Sequence, residues 1–319
     1  MAHEFRRGPR RRALLGLGAA WLAGCGGGGG EGGAPPPAGA RGTLVYANSS
    51  RVAVWDLDAG RGIEFDPGPM DDIGGGVSVA PDGTIAVMLA GDNQSFGFAT
   101  FDLAGRRTGL VTLQRELAFQ TSVLAFDATG TRVAFSVNEL TSPSDATRID
   151  RTYVLRWPDG ALLAALPGWQ DPVWAGTTGE LVLRQPDSNR LRLFDAALQD
   201  QGWLAGLVAQ PDTGSFTLSP DGRYVVLEDG SRLLAHDRHS GARWVAAERI
   251  SAVFSPTFAP DGKTVAVHAI DLATATPTFF TRVPHLVHFV PGTTVALDVT
   301  IPRVDQSLVF TSDRMGWLP

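Results

Sequence analysis

The chain has 319 residues, 44% of them hydrophobic and 19% charged, with 27 basic against 33 acidic side chains for a net charge of −6. An acidic balance excludes nucleic acid and anionic lipid as the main partner, because both select a basic surface. Cys25 is the only cysteine, so no internal disulfide forms; stability has to come from burial, and the chain is long enough to build a large core.

Arg10, Arg11 and Arg12 precede an uncharged stretch from Ala13 to Ala23, which runs into Leu22-Ala23-Gly24-Cys25. The apolar stretch is too short to span a hydrocarbon layer, which needs about 20 helical residues, and it reads as a cleaved export signal. Leu22-Ala23-Gly24-Cys25 resembles the lipobox of bacterial lipoproteins. That resemblance implies a signal peptide over residues 1–24 and acylation of Cys25, whose lipid chains anchor the protein to a membrane. Arg11-Arg12-Ala13-Leu14-Leu15 also resembles a twin-arginine export signal, so the export route stays open between the two systems. Gly26, where an aspartate retains lipoproteins at the inner membrane, implies an outer-membrane, periplasm-facing location in a Gram-negative cell. Without residues 1–24 the chain keeps 22 basic and 32 acidic side chains.

From Gly26 to Gly42 the chain is Gly, Ala and Pro with one Glu and one Arg. It cannot build a core, so residues 25–42 read as the lipidated cysteine plus a tether, with a reach of roughly 20–25 Å. The remaining residues, 43–319, form one domain. No later run approaches the roughly 18 apolar residues of a second membrane element.

Repeats define that domain. Val77-Ser-Val-Ala-Pro-Asp-Gly83, Leu124-Ala-Phe-Asp-Ala-Thr-Gly130, Phe216-Thr-Leu-Ser-Pro-Asp-Gly222 and Thr257-Phe-Ala-Pro-Asp-Gly262 align, with Val173-Trp-Ala-Gly-Thr-Thr-Gly179 as a degenerate fifth; successive glycines stand 47, 49, 43 and 40 residues apart. A 40–50-residue period with strand patterning is the signature of propeller blades. Four residues before the first, second, fourth and fifth glycines stand Val79, Phe126, Leu218 and Phe258. Three and five residues after the same glycines stand Ala86 and Met88, Val133 and Phe135, Val225 and Leu227, and Val265 and Val267. This spacing puts one face of each two-stranded hairpin into a core. Asp82, Gly83, Gly130, Asp221, Gly222, Asp261 and Gly262 are therefore structural turn residues: aspartate bonds back to the backbone and glycine takes the left-handed position.

A second hairpin follows each of these. Its markers are Val54–Gly60, Phe101–Gly105, Leu155–Gly160, Leu193–Asp195, Ala235–Gly241 and Val287–Gly292. Six outer hairpins against five inner ones leave the first blade short. Residues 43–66 supply three of its strands, and Ser307-Leu-Val-Phe-Thr311 supplies the fourth by pairing the chain ends, which removes open sheet edges. The expected fold is all-β, a six-bladed β-propeller, with seven blades as the alternative if 269–311 holds an extra one. The Ser/Ala-Pro-Asp-Gly hairpin followed by alternating apolar residues resembles the WD40-like, or PD40, repeat of TolB-type propellers. The resemblance implies the fold; it does not carry a function, because that fold hosts binding proteins, lyases and lactonases alike. The chain departs from TolB in having no room for a separate N-terminal domain between the tether and the first blade.

There is no Gly-x-Ser-x-Gly elbow, phosphate loop, dinucleotide fingerprint or EF-hand loop. His236 and His239, and His285 and His288, are three apart, a metal spacing on a helix; on strands and turns it separates them. Asp66, Asp71 and Asp72 share a Gly-rich loop without the ligand alternation of a calcium site. Trp169, Trp174 and Trp203 lie in or beside blade connections and read as filler between sheets, with an exposed aromatic binding patch as the alternative. No catalytic residue, metal ligand or cofactor is expected. The expected function is a membrane-anchored periplasmic scaffold or binding module for a protein or glycan partner; the alternative is a metal-dependent hydrolase or lyase of the six-bladed type.

Overall fold

Twenty-four strands are found among the described residues. The computed structural model describes residues 41–48, 51–67, 76–90, 96–113, 121–142, 145–208, 215–229, 231–248, 253–270, 282–295, 299–300 and 315–319. Cys25, the signal positions 1–24 and most of the tether lie outside them, as do Asp71, Asp72 and residues 307–311.

Blade 1 holds β1 (Thr43–Asn48), β2 (Arg51–Asp56) and β3 (Arg61–Phe65). Blade 2 holds β4 (Val77–Val79), β5 (Ile85–Ala90), β6 (Phe96–Phe101) and β7 (Arg107–Leu113). Blade 3 holds β8 (Thr121–Phe126), β9 (Arg132–Ser142), β10 (Asp145–Arg156) and β11 (Leu162–Pro167). Blade 4 holds β12 (Gln170–Ala175), β13 (Glu180–Arg184), β14 (Arg190–Phe194) and β15 (Asp200–Val208). Blade 5 holds β16 (Phe216–Leu218), β17 (Tyr224–Asp229), β18 (Arg232–Asp237) and β19 (Arg243–Ala247). Blade 6 holds β20 (Val253–Phe258), β21 (Thr264–Ile270), β22 (Arg282–His288) and β23 (Val299–Thr300). The last strand, β24 (Gly316–Leu318), returns to blade 1.

Each sheet is four-stranded and antiparallel, and five of them run in sequence order; blade 1 reads β24-β1-β2-β3. The first strand of each blade packs against the first strand of the next, β4 on β8, β8 on β12, β12 on β16 and β16 on β20. β24 then packs on both β20 and β4, so the ring closes after six blades. The buried apolar side chains of the described residues fall into six clusters, one at each junction of neighbouring blades. Because every blade is covered on both faces, its middle strands lose strict alternation: Val52–Trp55 of β2 and Val225–Glu228 of β17 are buried without a break. Outer strands such as β11 and β3 are largely exposed or half-buried.

Two details depart from expectation. The ring is closed by β24, pairing Thr43 with Leu318, Leu44 with Trp317 and Val45 with Gly316; Ser307–Thr311, expected to do this, lies outside the described residues. Blade 2 differs in register. In blades 3, 5 and 6 the hairpin closes with amide–carbonyl pairs five residues apart (Asp127–Arg132, Ser219–Tyr224, Ala259–Thr264), but in blade 2 Ala80 reaches Thr84, four away. The turn is one residue shorter, so Val79 faces Ile85 instead of Ala86. Val79, Ile85 and Val87 then pack toward blade 1, while Ala86 and Met88 turn to the blade 3 side.

Candidate functional site: the cavity of the hairpin face

The inner strands of all six blades run toward one face and end in the inner hairpins. There the turn residues take the geometry their chemistry allows. The Asp82 carboxylate accepts the Thr84 amide at 2.9 Å, Asp221 the Arg223 amide at 3.0 Å and Asp261 the Lys263 amide at 2.8 Å. Gly83, Gly130, Gly222 and Gly262 have φ of 87°, 66°, 70° and 66°, the left-handed region where a Cβ is strained. Burial opposes ionisation of Asp221, but the Ser219 hydroxyl and the Arg223 amide hold its carboxyl below the usual value.

Inside this collar lies a cavity of about 330 Å³, to which every blade contributes. One rung back from the end of each inner strand, the registers place equivalent residues in a ring: Trp317, Ser78, Ala125, Trp174, Thr217 and Thr257 in blades 1 to 6. The two tryptophans thus stand three blades apart. Trp174 is buried, its indole N–H donates to the Ala125 carbonyl at 3.1 Å, and the Arg132 guanidinium lies over its ring at 4.4 Å. The Trp317 indole N–H donates to the Arg41 carbonyl at 2.9 Å. Thr217 Oγ1 accepts the Phe258 amide at 3.3 Å, whereas the shielded Thr257 hydroxyl has no hydrogen-bond partner among the described residues.

Asp127 is the one charged side chain in the described lining, and it is fully engaged. Its Oδ1 accepts the Thr131 and Arg132 amides, both at 3.0 Å, while Oδ2 accepts the Thr129 hydroxyl at 2.8 Å and the Arg132 Nε–H at 2.9 Å. Arg132 also donates to the carbonyls of Ala196 and Gly179, tying blade 3 to blade 4. Apart from Asp127, the side chains of the described lining are uncharged: apolar and aromatic, with a few hydroxyls.

The opposite ends of the inner strands hold a different chemistry. Asp171 and Ser255 sit at bulges with φ of 53° and 52°, each followed by proline. Asp171 pairs with Arg184 at 2.5 Å; Arg184 also binds Asn189 and Gln170, and Gln170 reaches Asp150. This polar seam braces blade 3 against blade 4.

The remaining expected residues are dispersed. His236 is buried on β18, and burial, with Arg243 adding to it, lowers its pKa against the opposing pull of Asp237. His239 is exposed in the following turn; on β22, His285 is half-buried and His288 is exposed. Among the described residues no group of three or more His, Cys, Asp or Glu is placed to hold a metal ion. Of the three tryptophans read as filler, only Trp174 is buried. Trp169 and Trp203 are half-buried, 5.7 Å apart, with Arg192 and Arg190 stacked on them. Sequence reading missed the ring itself, because recognising Trp317 as the partner of Trp174 requires knowing that Gly316–Leu318 is an inner strand.

These observations define a six-bladed β-propeller with an aromatic-lined cavity on its inner-hairpin face. No family model and no curated protein matches the chain. Among solved structures it is similar to a candidate 6-phosphogluconolactonase from Bacteroides uniformis, at 11% identity over 80% of each chain with a TM-score of 0.52. It is also similar to TolB from Acinetobacter baumannii (14%, 76% of this chain and 64% of that one, TM-score 0.48) and to Kuenenia stuttgartiensis hydrazine synthase (15%, 68% and 63%, TM-score 0.44). The chain spans somewhat under two thirds of the length of these last two. At such identities the first similarity speaks to fold alone.

Proposed function

We propose that this chain is a lipid-anchored propeller of the bacterial envelope, held through Cys25 to the outer membrane and facing the periplasm, that binds a protein or glycan partner on its hairpin face. The observation that carries the reading is the lining of the cavity. All six blades build it, yet Asp127, the one charged side chain of the described lining, spends both oxygens on Thr129, Thr131 and Arg132. A hydrolase or lyase needs a group free to move a proton or hold a metal beside the substrate; an aromatic lining with scattered hydroxyls suits recognition.

The test is a capture experiment in native envelopes. The full chain and a Thr217→Arg variant, which puts a charge into the cavity, are crosslinked in place and purified through the same tag. A partner recovered with the wild type and lost with the variant supports the reading. Identical recovery from both, or a stoichiometric metal in the purified protein, overturns it in favour of another face or of metal chemistry. Mass spectrometry of the same material checks the anchor: Cys25 carries acyl chains, or the membrane part of the proposal fails.

A further inference from the structure

The geometry points to a second interaction surface, on the outer rim where blades 3 and 4 meet: the open edge of β11, flanked by Trp169, Trp203 and Arg190, takes an extended, acidic segment of a partner protein. β11 ends its sheet, which reads β11-β10-β9-β8, so no described strand pairs with its outer edge. Its sequence, Leu162-Leu-Ala-Ala-Leu-Pro167, is apolar throughout, and Leu162 and Leu163 are 45% and 46% exposed. The other described outer strands of more than two residues carry the charges that blunt such an edge: Arg61 and Glu64 on β3, Arg107 on β7, Asp200 on β15 and Arg243 on β19. β11 is the exception, and its free backbone N–H and C=O groups are a template on which an extended chain adds.

The flank decides what that chain carries. Ala164 and Leu166 of β11, and Trp169 just beyond it, pack on one apolar cluster with Phe194 of blade 4. The Gly168 amide donates to the Asp150 carbonyl at 2.7 Å and the Trp169 carbonyl accepts the Thr152 hydroxyl at 2.8 Å, which fixes the connection. The Trp169 ring stands 5.7 Å from that of Trp203, and the guanidinium groups of Arg190 and Arg192 lie over Trp203 at 4.1 and 4.7 Å. Arg192 is engaged by Asp200 at 2.7 and 2.5 Å. Arg190 is exposed and has no ion pair among the described residues. Stacking holds its planar fork in one orientation and leaves the N–H edge open to a carboxylate. The β11 strand of a second copy brings no carboxylate to Arg190, and a glycan does not present the alternating N–H and C=O groups that pair with a strand edge. A peptide strand with an acidic residue beside an apolar one supplies both. None of these residues lines the cavity of the hairpin face, so the rim is a separate surface from the one proposed above.

The isolated full-length chain is titrated by fluorescence anisotropy with two labelled heptapeptides, one alternating valine and glutamate and the other valine and lysine, and with labelled digalacturonate. The glutamate peptide is expected to bind saturably and about tenfold more tightly than the lysine peptide, the worth of one charge-assisted contact. The chain is acidic overall, with 27 basic against 33 acidic side chains, so non-specific attraction runs the other way. In Arg190→Ala, with circular dichroism unchanged, the two peptides are expected to bind alike. With the glutamate peptide bound, hydrogen exchange read by mass spectrometry is expected to slow several-fold at Leu162–Leu166 and to stay as it was on β7. No peptide binding, equal binding of the two peptides to the wild type, unchanged selectivity in Arg190→Ala, protection that spares β11, or binding of digalacturonate alone overturns the proposal.

Discussion

Arg132 ties blade 3 to blade 4 beside the cavity. It pairs with Asp127 at 2.9 Å, reaches two carbonyls of blade 4 and stacks on Trp174. Asp127 is 2% exposed and Arg132 19%, so the pair lies in a medium where losing one partner strands the other charge. Removing one member of a buried pair costs about 3 kcal/mol, and Arg132→Ala is expected to lower unfolding stability by about that amount in urea titration. Arg106 makes a similar contact with Asp102 at 2.7 Å, but its side chain is 81% exposed. Salt and water screen such a pair, and Arg106→Ala is expected to leave the urea midpoint where it is. Equal losses in the two variants would mean that burial does not govern these ion pairs.

At the scale of elements, the outer hairpins do more than reverse the chain; they seat one blade on the next. Gly105 closes the β6–β7 turn of blade 2 with φ of 76°, and a Cβ there would lie 2.6 Å from the Phe65 ring of blade 1. Gly105→Ala combines left-handed strain with overpacking and is expected to cost about 3 kcal/mol, read as a lowered thermal midpoint. A midpoint within a degree of wild type would show that Phe65 can move away freely. Elements of this kind were legible in the sequence because their information is local. Pro-Asp-Gly and Asp-x-x-Gly turns announce themselves within a few residues, and the apolar residues at fixed offsets from Gly130, Gly222 and Gly262 lie on the faces expected. The register of blade 2 was not legible. Its motif, Ala80-Pro81-Asp82-Gly83, is nearly identical to that of blade 5, and what separates them is one hydrogen bond, Ala80 to Thr84 in place of Ser219 to Tyr224. That bond is fixed by the residues after the glycine and by which neighbour can accept Ile85 and Val87. A turn motif alone does not encode either.

For the whole molecule the decisive event is closure, and it is the least local feature of the fold. β24 has three residues, Gly316-Trp317-Leu318, too few to show any periodicity, and its pairing partner lies more than 270 residues away. Sequence could indicate that blade 1 lacked a strand, since six outer hairpins faced five inner ones, but not which segment would fill the gap. The cavity inherits the same difficulty, because two of its aromatic walls, Trp174 and Trp317, become equivalent only once the ring is shut. The structure puts weight on this short strand: Met315, Trp317 and Leu318 are buried, and a Cβ on Gly316 would lie 2.6 Å from Val79 Cγ1 of blade 2. Without it, β1 would expose the backbone donors and acceptors of Thr43–Val45 along an open edge, the kind of template on which another chain adds. A chain lacking residues 315–319 is therefore expected to unfold at lower urea concentration and to self-associate as its concentration rises, measured by sedimentation velocity. A truncated protein that stays monomeric with an unshifted urea midpoint would show that the disc holds together without its clasp.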